Sequence, residues 1–168
     1  DSLRVLVITG EGRAFSAGED VRGMQGLAEL GTRGFRRVAR AIHNVFDELE
    51  AIEVPVIAAI NGVAAGGGLE LALSCDFRIA AKGAKITTAF AKVGLSGDFG
   101  GTYFLTQLVG SAKAKELYLL SDVILAEEAE RLGVVNRAVE PADLAKEAMA
   151  LAKRFASGPT ITLGLMKK

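Results

Sequence analysis

Three consecutive glycines, Gly66, Gly67 and Gly68, run straight into a stretch that reads as helix, and Glu70 stands in its first turn. Glycine triplets cost folding entropy, so bare backbone here implies a group that must come close. A helix starting near Gly67 leaves its first amides without intrahelical partners and turns the positive end of its dipole the same way. With no side chain in between, a ligand oxygen can reach those donors. A second loop, RAFSAGED (Arg13 to Asp20), is also rich in glycine and small residues. If it brings one more N–H opposite, from around Ala17, two backbone donors meet on one oxygen. That is an oxyanion hole, where a single donor is typically worth about 3 kcal/mol of barrier.

Glu70 fits such a site. Side chains on a helix lean toward its N-terminus, so a first-turn glutamate reaches back to the mouth. The dipole favours its ionised form, which a general base needs. Geometry leaves a second reading open: Glu70 as an acid that merely stabilises the helix start. Phosphate-loop alternatives fail. Neither the G-x-G-x-x-G pattern nor the lysine-bearing P-loop occurs in AAGGGLELA.

The elements that position these loops follow from the apolar pattern. Leu3 to Thr9 reads as a strand buried on both faces. A loop follows to Asp20, and four glycines make residues 21–34 ambiguous. A helix is predicted from Phe35 to Glu50, with Phe35, Val38, Ile42, Val45, Phe46 and Leu49 on one stripe and His43 beside it. Nothing near His43 suggests an acid to orient it. Further strands are expected over Val56 to Ile60, Phe77 to Ala81, Ile86 to Phe90 and Val134 to Val139. Helices are expected over Leu69 to Cys75, from Gly101 to a stop at Gly110, from Ser111 on, through AEEAERLG, and after Pro141. Alternating strands and helices make the class α/β with a parallel sheet, and ligands then bind at the carboxyl ends of strands, where both glycine loops lie.

Composition narrows the function. Half of the 168 residues are hydrophobic, enough for one domain (residues 1–168) with a sizeable core. Acids and bases balance at 20 each, so no net field draws the chain to nucleic acid or membrane. A single histidine, His43, excludes a multi-histidine metal site, and no metal is expected. The lone Cys75 reads as a buried small hydrophobe in a reducing compartment. No signal peptide or apolar run of membrane-spanning length is recognisable, and the expected location is the cytoplasm. The first residues begin at once as a strand and the last, PTITLGLMKK, stop within an apolar segment, which predicts part of a longer chain.

RAFSAGED and NGVAAGGGLELALSCDFRIA (Asn61 to Ala80) resemble the two signature loops of the enoyl-CoA hydratase/isomerase, or crotonase, superfamily. GDFGGTYFLTQLVG (Gly97 to Gly110) and AEEAERLGVVNRAV (Ala126 to Val139) look like its next two blocks. The resemblance implies a spiral of β-β-α units, here without the usual N-terminal strands and C-terminal helices, assembled as trimers or hexamers. It implies acyl-CoA thioester substrates and no separate cofactor, since CoA is part of the substrate. The thioester oxygen would lie between the N–H groups of Ala17 and Gly67, and Ala17, Gly18, Glu19 and Asp20 would lie against CoA. Glu19 and Asp20 are expected to order the loop or face solvent rather than to catalyse. Hydratases of the family use two glutamates. Glu70 matches the first, but Phe90 falls at the second in an ungapped alignment, and phenylalanine moves no protons. Asp98 falls where family isomerases acting on ring-derived acyl-CoA carry an aspartate, and where 4-chlorobenzoyl-CoA dehalogenases place their nucleophile. It would shuttle a proton between two carbons of a dienolate; otherwise it caps the helix near Gly101. With no aromatic cage for a haloaryl ring evident in the sequence, isomerisation is favoured over dehalogenation. The alternative is a non-catalytic, CoA-ester-binding or structural member of the superfamily.

Overall fold

Val56–Ile60, a continuous apolar run, is a strand with every residue buried, at the centre of the molecule. The structure is a computed structural model that describes residues 3–20, 26, 29–97 and 99–167. Eight strands and six α-helices are assigned within those residues: β1 (Leu6–Thr9), β2 (Ala14–Ser16), α1 (Gly31–Ala51), β3 (Val56–Ile60), β4 (Val63–Ala65), α2 (Gly67–Ser74), β5 (Phe77–Ala81), β6 (Lys85–Thr87), α3 (Gly101–Leu120), β7 (Ile124–Leu125), α4 (Ala126–Leu132), β8 (Arg137–Val139), α5 (Leu144–Ala156) and α6 (Thr160–Met166).

The strands sort into two sheets. One has the order β1-β3-β5-β8 and is parallel throughout. The other has the order β2-β4-β6-β7, parallel except where β6 meets β7. Each of the first three turns of chain gives one strand to the first sheet, a short one to the second, then a helix. Repeated, this is the β-β-α spiral, and the α/β expectation is met. The main core lies between the sheets and helices α2 and α3, with Ile60, Leu69, Leu73, Ile86 and Leu105 buried in it. On the other face of the parallel sheet, Leu144 and Ala148 of α5 cover Ala59 and Ile79.

Several expectations need correction. β1 starts at Leu6, not Leu3, and is half-buried, because among the described residues it stands at the edge of its sheet with a neighbour on one side only. The loop from Gly10 to Asp20 contains β2, and β4 and β7 were not foreseen. Strands of two or three residues are too short to leave a periodic trace. The Ile86 to Phe90 strand ends at Thr87. Ala89 turns with φ +61°, and Phe90 opens a short 3-10 turn instead. The last strand begins at Arg137, since Val134 and Val135 close the turn after α4. Val45, assigned to the apolar stripe of α1, is exposed. The predicted break at Gly110 is present: φ is +76° there and the backbone leaves helical geometry inside α3.

Among the described residues no helix is long and apolar enough to cross a membrane.

Candidate active site

Two loops meet at the mouth of α2. Pairing of β2 with β4 sets Ser16 opposite Ala64, so the segment leaving β2 runs beside the glycine triplet. Asn61 ties the approach together. Its Oδ1 accepts from Gly10 N–H at 3.0 Å, and its Nδ2 donates to the carbonyls of Gly12 and Ala14 at 3.2 and 3.3 Å. Beyond β2, Gly18 N–H donates to Ser16 Oγ at 3.3 Å. Gly18 has φ +85°, and a Cβ built on it would lie 3.0 Å from the Ala65 carbonyl oxygen and 3.1 Å from the Gly67 amide nitrogen. The first loop is thus seated on the start of the helix, and the structure brings Gly18 and Gly67 together.

The triplet has three separate reasons. Gly66, before the first helical residue, adopts φ +52° and ψ −127°, a conformation that residues with a Cβ avoid. Gly67 faces the opening, with the Phe99 ring 3.3 Å from where its Cβ would be. Gly68 touches the backbone of Ser16 too closely for any side chain. The first two residues of α2, Gly67 and Gly68, therefore carry no side chain at the helix mouth, with the helix dipole behind them.

Glu70 is 1% exposed, although it is a carboxylate in a first turn. Such a group is kept in an interior only when donors compensate its lost water. Here Phe99 N–H donates to Oε2 at 3.3 Å and the Tyr118 hydroxyl donates to Oε1 at 3.1 Å. Glu70 is indeed in the first turn of α2, where an acid stabilises the helix start, and its burial with two donors adds to that place a fixed orientation. Glu19 and Asp20 are exposed, as expected. Asp98 lies outside the described residues.

Phe90 is buried beside this carboxylate. A Cβ on Gly97 would meet the Phe90 ring at 3.0 Å and Glu70 Oε1 at 3.1 Å, so both flank one glycine. The Phe90 ring is parallel to that of Tyr118, 3° apart with centroids at 6.2 Å. On the other side, Phe46 stacks on Phe99 at 5.3 Å and the His43 ring meets Phe99 edge-on at 5.7 Å. His43 Nδ1 pairs with the Ala39 carbonyl of its own helix at 2.9 Å. Rings scattered through the sequence thus converge beside Glu70. Tyr118, Phe99 and Asn61 were missed as site residues. Tyr118 gave only a faint signal, as one of two tyrosines, both on α3.

The far end of α2 is held by a buried cation. Arg78 donates from Nε to the Val134 carbonyl at 2.8 Å and from Nη1 to the carbonyls of Cys75 and Leu73 at 2.6 and 3.4 Å. Burial lowers its pKa, but a guanidinium remains charged, so a full positive charge caps the negative end of the helix. Burial also pushes the neighbouring Cys75 thiol up to about 12.

Comparison with known proteins decides the family. A model of the family described as enoyl-CoA hydratase/isomerase matches residues 1–168. The chain belongs to the enoyl-CoA hydratase/isomerase family. It is 44% identical over 167 residues to a crotonyl-CoA hydratase of Syntrophomonas wolfei, covering 99% of this chain and 63% of that one. It is 41% identical over 170 residues to a 1,2-epoxyphenylacetyl-CoA isomerase of Escherichia coli, covering 100% of this chain and 64% of the relative. The crystal structure of an enoyl-CoA hydratase from Polaromonas superposes with a TM-score of 0.93 at 34% identity, covering 98% of this chain and 64% of that one. The chain therefore has the crotonase-like fold and spans less than two thirds of the length of these relatives.

Proposed function

We infer that the whole protein is an acyl-CoA-processing enzyme acting through a thioester enolate, with isomerase-type proton transfer favoured over two-glutamate hydration. The observation that carries this is the buried Glu70 carboxylate in the first turn of a helix whose mouth, at Gly67, is bare backbone with Gly18 seated against it. In this reading the thioester oxygen sits between the Ala17 and Gly67 amides, and the Ala17 to Asp20 loop lies against CoA. Glu70 removes the proton from Cα, and the negative charge moves onto the held oxygen. Asp98 shuttles that proton on to the far carbon of the dienolate, so both carboxylates end as they began, a double bond has moved and nothing is consumed. No cofactor beyond the CoA of the substrate enters.

Phe90 supports isomerisation. A buried ring beside Glu70, where two-glutamate hydratases carry their second carboxylate, offers no group to activate water. The same observation supports the second reading, a non-catalytic member that binds CoA esters. The deciding experiment incubates the whole protein with a 3-enoyl-CoA and a short 2-enoyl-CoA. Double-bond migration without hydration is expected. Hydration of the 2-enoyl-CoA without migration would overturn the preference. Calorimetric binding without turnover would establish the second reading, and neither binding nor turnover would remove both. The relatives' greater length supports residues 1–168 as one domain of a longer protein whose other strands and helices complete the acyl pocket and a trimer or hexamer. Its place would be the cytoplasm.

A further inference from the structure

We propose that Tyr118 is the positioning residue for Glu70, a role that rests on the reading of Glu70 as the base. Tyr118 lies on the last turns of α3, 48 residues along the chain from Glu70, and its hydroxyl donates to Oε1 at 3.1 Å. Phe99 N–H holds the other oxygen. Two donors from different elements fix the plane of the carboxylate, and a base gains rate only when its lone pair is aimed.

The phenol itself is held on three sides. Its ring lies parallel to Phe90. Its backbone is pinned from behind: Ser121 Oγ donates to the Tyr118 carbonyl at 3.0 Å, and Thr88 Oγ1 donates to the Leu117 carbonyl at 3.0 Å. The Thr88 and Ser121 hydroxyl oxygens themselves lie 3.0 Å apart. Ser121 takes φ +50°, an unfavourable conformation for a residue with a Cβ, at the point where it makes these contacts. On the third side is Gly101. A Cβ there would collide with both the Tyr118 hydroxyl and Glu70 Oε1, so the pair occupies space that only glycine leaves free. Phe90 therefore has a positive role: where a second glutamate would ionise, it packs the ring that orients the first.

Tyr118→Phe removes one oxygen and keeps the ring. The whole protein and this variant are compared in turnover of the acyl-CoA that the wild type converts, in substrate affinity and in melting temperature. The expected result is a kcat about 10- to 100-fold lower, with KM within about twofold and little change in melting. A side chain that only fills space would leave kcat unchanged, and an unchanged kcat overturns the proposal. If the wild type converts no acyl-CoA, the functional reading fails separately, and the positioning role is decided by the crystal structure of the variant. A Glu70 carboxylate rotated off Phe99 N–H supports it. One that keeps its orientation overturns it.

Discussion

The Cα of Gly68 packs directly on the carbonyl of Ser16, so that a Cβ there would overlap the Ser16 backbone. This contact lets the strand before the first loop run against the helix that follows the second. Gly68→Ala must push β2 away from α2 and open the gap between Gly18 and Gly67. Overpacking of this kind costs about 1–3 kcal/mol. For a domain of this size each kcal/mol lowers the melting temperature by about 2–4 °C. Calorimetry of the variant should show that drop, together with a loss of activity larger than the stability change alone explains. Wild-type melting and turnover would mean the two loops are not coupled.

The base proposed here is Glu70, and Glu70→Gln keeps its shape and its ability to accept a hydrogen bond while removing the charge. Turnover of an enoyl-CoA should fall about 10²- to 10⁴-fold with binding of the CoA ester retained. Asp98→Asn, assayed beside it, should abolish double-bond migration if Asp98 delivers the second proton. If migration persists at the wild-type rate, Asp98 is a helix cap. Stopped assays of both variants on one substrate separate the two roles.

Arg78 shows why burial, rather than charge count, sets the worth of an interaction. It is 4% exposed and satisfies three carbonyls, two of them in the last turn and cap of α2. Arg78→Met leaves those carbonyls buried and unmatched, at a cost of about 1–3 kcal/mol for each group that finds no other donor. Arg137, by contrast, meets Glu147 at 3.1 Å on the surface with its side chain 59% exposed. Arg137→Ala should cost less than about 1 kcal/mol. Urea denaturation of the two variants tests the ordering, and equal losses would contradict it.

How much of this was legible depended on length of pattern. β3 could be read because five apolar residues in a row record burial on both faces, and β5 because four apolar residues surround Arg78. The mouth of α2 could be read because three glycines have few other uses. β2, β4 and β7 could not, since two or three residues carry no period. They are held by register with longer neighbours, which is a tertiary fact. Glu70 could be found from its place in a first turn. Its partner could not: no local spacing links Tyr118 to Glu70, and only the packing of α3 on α2 joins them. The aromatic walls escaped for the same reason, as Phe46, Phe90 and Phe99 come from three separate segments.

Cys75 makes the fold sensitive to alkali. It is buried, and its S–H donates to the Leu71 carbonyl at 3.3 Å. Desolvation by burial is the main cause that holds the thiol up to about 12, against an ordinary value of 9.0, with Asp76 adding to it and Arg78 and Lys167 opposing. Below pH 9 the thiol is protonated in both folded and unfolded chains, and its contribution is fully present. Above pH 9 the unfolded chain loses the proton and the folded one does not, so the unfolded state gains. Stability should therefore fall as pH rises from about 9 toward 12, with a slope approaching about 1.4 kcal/mol per pH unit. Cys75→Ala should flatten that part of the curve while lowering stability at neutral pH through the small cavity it leaves. Urea midpoints between pH 8 and 11 measure the slope. Identical slopes for wild type and variant, or rapid alkylation of Cys75 in the folded protein at pH 8, would show that the thiol is not held protonated.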